Sequence, residues 1–201
     1  MSTFIGTRKD FVKQYSGFIT AITAGTGLFP GTVIAQAIIE SSGKYNGQWR
    51  VGGSGLSRKA NNYFGIKCGI GWKGQRFNAK TGEYTPGGQK YNTVSCFRVY
   101  DSVEDSIKDH LKFLQTNARY KKNGVFNSKN VLEQAQALKR AGYATAPNYA
   151  STIVSVYNSI KPYITDIYIE KKKITSKQIK LFAIPSIFLL IIYYLNKKKV
   201  L

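Results

Sequence analysis

Glu40 closes an otherwise uncharged run, Pro30-Gly-Thr-Val-Ile-Ala-Gln-Ala-Ile-Ile-Glu40-Ser-Ser-Gly43. Proline suits a first helical turn and glycine a helix end, so the spacing predicts one short buried helix. A carboxylate there is disfavoured twice: apolar neighbours penalise its charge, and the helix C-terminus adds partial negative charge. Both effects raise the pKa toward the range in which a carboxylic acid can donate a proton near neutral pH. The plainer alternative is a glutamate at the helix surface with its head in water.

The other acids narrow the choice. The chain holds ten Asp+Glu against thirty Lys+Arg. Asp101, Glu104, Asp105 and Asp109 gather at the start of one expected helix, where the helix dipole favours acids. Asp10 suits a first helical turn, Glu133 a helix surface, and Asp166 and Glu170 lie in a basic tail. Glu40 and Glu83 lack such an explanation. Glu83 stands in Asn78-Ala-Lys-Thr-Gly-Glu83-Tyr-Thr-Pro-Gly-Gly, which has hairpin or loop composition. One isolated carboxylate on a buried helix and another on a loop suggest hydrolysis of a glycosidic bond.

The elements that must position these groups are legible in part. Phe11, Tyr15, Phe18, Ile19 and Ile22 repeat at three and four residues, predicting an amphipathic helix over 10–23. Residues 43–62 are Gly/Ser/Asn-rich and too polar for core except at Trp49, Val51 and Leu56; the chain turns apolar again over Asn61-Asn-Tyr-Phe-Gly-Ile-Lys-Cys68. Thr93 to Tyr100 alternates like a strand, and helical spacing recurs over about 102–116, 128–141 and 148–161. A mainly helical body with a β-hairpin inserted after its second helix is an α+β plan.

Composition bounds the partners. At 201 residues and 43% hydrophobic content, there is room for one domain of roughly 150 residues plus an appendage. The net charge is +20, of which the tail 161–201 holds +7 and the body +13. Such a body suits anionic surroundings: nucleic acid, anionic lipid or cell-wall polymer. No nucleic-acid-binding signature accompanies the scattered lysines, which argues against nucleic acid. Cys68 and Cys96 flank the hairpin; a disulfide is conceivable, but two unrelated buried thiols are expected. His110 is expected on a helix surface, and neither a metal site nor a histidine-dependent nucleophile assembles around it.

The last forty residues change character. After the basic linker 163–178, residues 181–195 run uncharged, with lysines on both sides of the apolar segment. A helix over 179–196 would reach about 27 Å, close to the roughly 30 Å hydrocarbon core of a bilayer. The flanking lysines can snorkel, and Tyr193 and Tyr194 suit an interface, so a C-terminal transmembrane helix is expected, followed by a basic tail at 197–201. The N-terminus lacks the apolar stretch of a secretory signal.

Five blocks, in order, resemble a known family: Ala35-Gln-Ala-Ile-Ile-Glu40-Ser-Ser-Gly43, Asn62-Tyr-Phe-Gly-Ile-Lys67, Thr81-Gly-Glu83-Tyr, Phe97-Arg-Val-Tyr-Asp-Ser102 and Ala141-Gly-Tyr-Ala-Thr-Ala-Pro-Asn-Tyr-Ala150. They are similar to the glucosaminidase family, glycoside hydrolase family 73, over roughly residues 8–160. The resemblance implies a lysozyme-like fold for residues 1–162. It also implies cleavage of the β-1,4 bond between N-acetylglucosamine and N-acetylmuramic acid in peptidoglycan, with no cofactor. On this resemblance Glu40 matches the general acid and Glu83 a second carboxylate that activates water or steadies positive charge. Tyr149 matches a tyrosine of the cleft, with Tyr143 a second candidate. Asn62, Tyr63 and Phe64 match a block that shapes the cleft floor. Where the family often has Asp, Ala146 stands here. Tyr84, Tyr91, Trp49 and Trp72 offer flat faces for sugars.

The expected function is a membrane-anchored peptidoglycan hydrolase of phage entry or host lysis, held in a virion membrane or host inner membrane. The alternatives are a non-catalytic wall-binding module of the same fold and a membrane-disrupting protein acting through its tail.

Overall fold

In the computed structural model, which describes residues 3–84 and 89–164, the first helix begins at a capping box. The Thr7 hydroxyl accepts from the Asp10 amide and the Asp10 carboxylate accepts from the Thr7 amide, which opens α1 (Arg8–Thr23). Its inner face, Phe11, Val12, Tyr15 and Ile19, is buried. The next helix, α2 (Pro30–Ser41), starts at a proline and buries every residue from Gly31 to Ile38. A helix apolar on all sides belongs at the centre of a body, and α2 packs against α1 and against the later helix Val131–Arg140.

Two short strands, β1 (Gly43–Tyr45) and β2 (Gln48–Arg50), and the helix α3 (Gly55–Ala60) follow. They occupy the stretch expected to be too polar for core. Polar residues sit inside here because they are bonded: the Ser41 carbonyl, near the end of α2, accepts from the Ser54 amide and the Ser57 hydroxyl. Val51 is buried as expected, whereas Trp49 is 67% exposed on β2.

The expected hairpin is β3 (Arg76–Tyr84) against β4 (Lys90–Arg98), antiparallel from Arg76 opposite Arg98 to Tyr84 opposite Lys90. Its turn, residues 85–88, lies outside the described residues. Residues 66–68 run along the other edge of β4: the Cys68 amide donates to the Cys96 carbonyl and the Arg98 amide to the Ile66 carbonyl. This alignment faces Cys68 with Cys96, and the two are joined in a disulfide rather than being separate thiols. The pairing follows from a ladder between a loop and a strand, which the spacing of the cysteines does not reveal.

Four helical elements complete the body: α4 (Val103–Thr116), α5 (Ala118–Lys122), α6 (Val131–Arg140) and α7, helical from residue 149 to the end of the unit at Lys161, with a 3-10 turn at Val125–Asn127 between α5 and α6. His110 is wholly buried, not on the helix surface. It falls on the inward stripe Val103, Ser106, Ile107, His110, Leu111 and Leu114 of α4, and its ring stacks on Phe64 at 3.8 Å with 4° between planes. Against α2, Gly31 leaves no room for a Cβ, because the Tyr157 ring of α7 occupies that space. Gln36 of α2 meets Tyr149 of α7, so the two helices run in opposite senses.

The chain divides into Met1–Lys161 and Pro162–Leu201. The fold above is that of the first unit. The expected membrane helix 179–196, the tail 197–201 and the linker 163–178 beyond residue 164 lie outside the described residues. Among the described residues, no helix is long and apolar enough to cross a membrane.

The disulfide closes a loop between residues 28 apart, so replacing both cysteines with serine is expected to lower the unfolding free energy by about 3 kcal/mol. Denaturant titration of the parent and the double serine variant would measure this; a loss below about 1 kcal/mol would show that the ladder alone secures the hairpin base.

Candidate active site

Glu40 stands one residue before the end of α2, in the wall of a cleft of about 1110 Å³. Phe64 and Trp72 line one side with Thr81, Gly82 and Arg98 of the hairpin; Asp109, Lys112 and Phe113 of α4, Arg119 of α5 and Tyr143 line the rest. Burial alone pushes the Glu40 carboxyl from 4.5 up to about 7. No hydrogen bond or ion pair to it is present among the described residues, so nothing there offsets the loss of water around its charge. Glu40 can therefore hold a proton near neutrality inside a space that admits a ligand.

Two tyrosines share its surroundings. Tyr149 opens α7, is 5% exposed, and its hydroxyl accepts from Gln36 Nε2 at 2.9 Å. Tyr143 follows α6 and lies 5.8 Å from Tyr149, ring to ring. The Tyr143 hydroxyl is buried with no partner among the described residues. Burial raises the pKa of both phenols, and the negative charge of Glu40 adds to the shift in each. Tyr143 lines the cleft with Glu40, and Tyr149 packs behind it.

Of the block expected on the cleft floor, Phe64 lines the cleft. Asn62 and Tyr63 do not. The Asn62 side chain donates to the carbonyls of Ile66 and Arg98 and accepts from the Ile66 amide, which ties the 62–66 loop to β4. Tyr63 is buried against Phe11 and donates its hydroxyl to the Phe4 carbonyl. Both are supports behind the wall. Glu83 and Tyr84 lie on β3, opposite Tyr91 and Lys90; their side chains are outside the described residues. Thr81 and Gly82, immediately before Glu83, are in the cleft wall. Among the described residues, no three His, Cys, Asp or Glu side chains gather to hold a metal ion.

Three residues stand here that the sequence placed elsewhere or did not single out. Asp109 sits in the cleft wall, 2.8 Å from the Arg98 guanidinium, and accepts from the Tyr100 hydroxyl at 2.6 Å. It serves the join between hairpin and α4 rather than the helix dipole. Gln36 and His110 meet in the core beside Tyr149. A signal existed for both: Gln36 lies one helical turn before Glu40, and His110 keeps the spacing of the buried stripe of α4.

A family model for glucosaminidase, described as mannosyl-glycoprotein endo-beta-N-acetylglucosaminidase, matches residues 18–162. The chain belongs to this family. Among glucosaminidase relatives, it is 38% identical over 132 residues to the peptidoglycan hydrolase FlgJ of Pseudomonas aeruginosa, covering 65% of this chain and 31% of that protein. It is 32% identical over 169 residues to the exo-glucosaminidase LytG of Bacillus subtilis, covering 83% and 55%. The chain thus spans about a third to a half of these curated relatives. The crystal structure of a peptidoglycan hydrolase mutant from Sphingomonas sp. A1 superposes with a TM-score of 0.63 at 27% identity, covering 79% of this chain and 99% of that one. The body has the lysozyme-like fold of these glycoside hydrolases.

Because its pKa is raised in the folded state, Glu40 contributes stability that is fully present below 4.5 and lost as pH rises through about 7. Glu40→Gln removes that titration. Its stability relative to the parent is expected to grow between about pH 5 and pH 8, by at most about 3 kcal/mol. Thermal melts at both pH values would show the divergence, and parallel curves would mean that Glu40 is hydrated and titrates normally.

Proposed function

We propose that the chain is a peptidoglycan hydrolase that cuts the β-1,4 bond between N-acetylglucosamine and N-acetylmuramic acid within glycan strands. The observation that carries this is a carboxylic acid held near pKa 7 in the wall of an open cleft. The names of the relatives FlgJ and LytG support the substrate class. So does charge: among the described residues the cleft presents Lys67, Arg98, Lys112 and Arg119 against two acids, Glu40 and Asp109, which suits strands bearing anionic peptide stems.

In this mechanism Glu40 gives its proton to the glycosidic oxygen as the sugar approaches an oxocarbenium-like transition state. A water oxygen bonds to the sugar carbon as the glycosidic bond breaks; Glu83, carried on β3, takes the water proton, and Tyr149 lends its hydroxyl to the site. Phe64, Trp72 and Tyr143 offer apolar faces to the sugar rings. Proton donation requires the acid form, so kcat/KM falls as pH rises above about 7.

The membrane location belongs to the same proposal. Residues 179–196, with lysines at both ends, anchor the enzyme in a bilayer. Such an anchor suits an enzyme that opens the wall from a phage virion or from the host inner membrane.

Digestion of purified peptidoglycan, with new reducing ends read by mass spectrometry, tests the chemistry. Ends on N-acetylglucosamine that disappear in Glu40→Gln are expected, with a loss on the order of 100-fold or more. Muramic-acid ends would reassign the bond, and no cleavage by the parent would favour a wall-binding module.

The anchor has its own test. A chain ending at residue 170 is expected to keep wall cleavage and lose co-sedimentation with lipid vesicles. Unchanged vesicle binding would refute the anchor.

A further inference from the structure

Gln36, His110 and Tyr149 form a chain of hydrogen bonds through the core, centred one helical turn before Glu40. Gln36 precedes Glu40 by four residues on α2, so the two share a helix face. Its Nε2 donates to the Tyr149 hydroxyl oxygen at 2.9 Å, and its Oε1 lies 3.2 Å from His110 Nε2. Gln36 and His110 are both at 0% exposure. Three polar side chains in an apolar interior carry a desolvation cost that an apolar trio of the same volume would avoid.

The direction of each bond follows from donor chemistry. An amide oxygen only accepts, so the His110 hydrogen is on Nε2. Burial keeps the ring neutral, its pKa lowered to about 3, and Nδ1 is buried without a partner among the described residues. The ring is fixed by its face-to-face stack on Phe64, which lines the cleft. With Oε1 held by His110, the Gln36 amide must turn its N–H toward Tyr149. The Tyr149 oxygen then accepts from Gln36, so its own hydrogen is directed away from Gln36, and its ring lies 5.8 Å from that of Tyr143, which lines the cleft together with Glu40.

We propose that Gln36 and His110 are positioning residues that set the polarity of Tyr149: His110 orients the Gln36 amide, and Gln36 makes Tyr149 a hydrogen-bond donor to the group reacting at Glu40. This rests on the assignment of Tyr149 to the active site. A Gln and a His that only filled the core would have no reason to act through the tyrosine hydroxyl.

The test is a double-mutant cycle on the full chain, with kcat and KM measured on purified wall and thermal melts run alongside. Gln36→Met keeps the length of the side chain and removes both bonds; Tyr149→Phe removes the hydroxyl. Gln36→Met is expected to lower kcat about tenfold, the worth of one hydrogen bond, with KM changed less than about twofold. In the Tyr149→Phe background, Gln36→Met should cost nothing further, because the group it orients is gone.

Additive losses would overturn the proposal and leave Gln36 a core residue. A parental kcat in Gln36→Met with an impaired Tyr149→Phe would overturn it as well, while leaving Tyr149 in the site. A parental kcat in Tyr149→Phe would instead remove Tyr149 from the site, and the polarity chain with it. If Gln36→Met does not fold, His110→Phe, which retains the stack on Phe64, takes its place in the same cycle. Independence from Tyr149→Phe there would overturn the proposal.

Discussion

The structure depends on the complete burial of α2. From Gly31 to Ile38 no residue of this helix reaches solvent, so neighbours must cover it on every side. The same burial reaches far enough along the helix to strip most water from Glu40 without sealing it from the cleft. Hydrophobic packing and acid chemistry are thus one arrangement at two ends of a twelve-residue helix. The energy that raises the carboxyl pKa comes from the packing that stabilises the rest of the body.

Around that helix, the cleft is made by keeping the hairpin and α4 at a fixed separation. The hairpin is secured at its base three times over: by the ladder of residues 66–68 along β4, by the Cys68–Cys96 bond, and by the Asn62 amide that holds Ile66 and Arg98 together. Arg98 then reaches across to Asp109 of α4. Glu83 stands at the other end of β3, next to its last residue, Tyr84. The strand that carries Glu83 therefore starts from a base fixed to both the 62–68 segment and α4.

Glu40, the central helix, the inserted hairpin and most helix spans were legible in the sequence because each has a local cause: proline at a helix start, apolar spacing, strand alternation. What was hidden depended on contacts between distant segments. The cysteine pairing required a ladder from loop to strand, and Asp109 required Arg98 from another element. The short β1, β2 and α3 lie in a stretch whose serines and glycines read as loop, yet whose buried polar groups are satisfied by the end of α2. His110 is a different case. Its position on the apolar stripe of α4 was visible, but a histidine is ordinarily placed at the surface, and only the Phe64 stack and the Gln36 amide explain its burial.

Gly31 shows how far the chemistry extends into the scaffold. Its missing side chain lets the Tyr157 ring sit directly against α2, and on the same pair of antiparallel helices Tyr149 meets Gln36. The separation of the two helices at Gly31 is therefore coupled to the seating of Tyr149 against Gln36. Even one methyl group at position 31 would act as a wedge, and its effect would be felt at the Gln36–Tyr149 bond further along the same helix pair. A substitution there would disturb the interior behind the cleft while leaving every cleft-lining side chain unchanged.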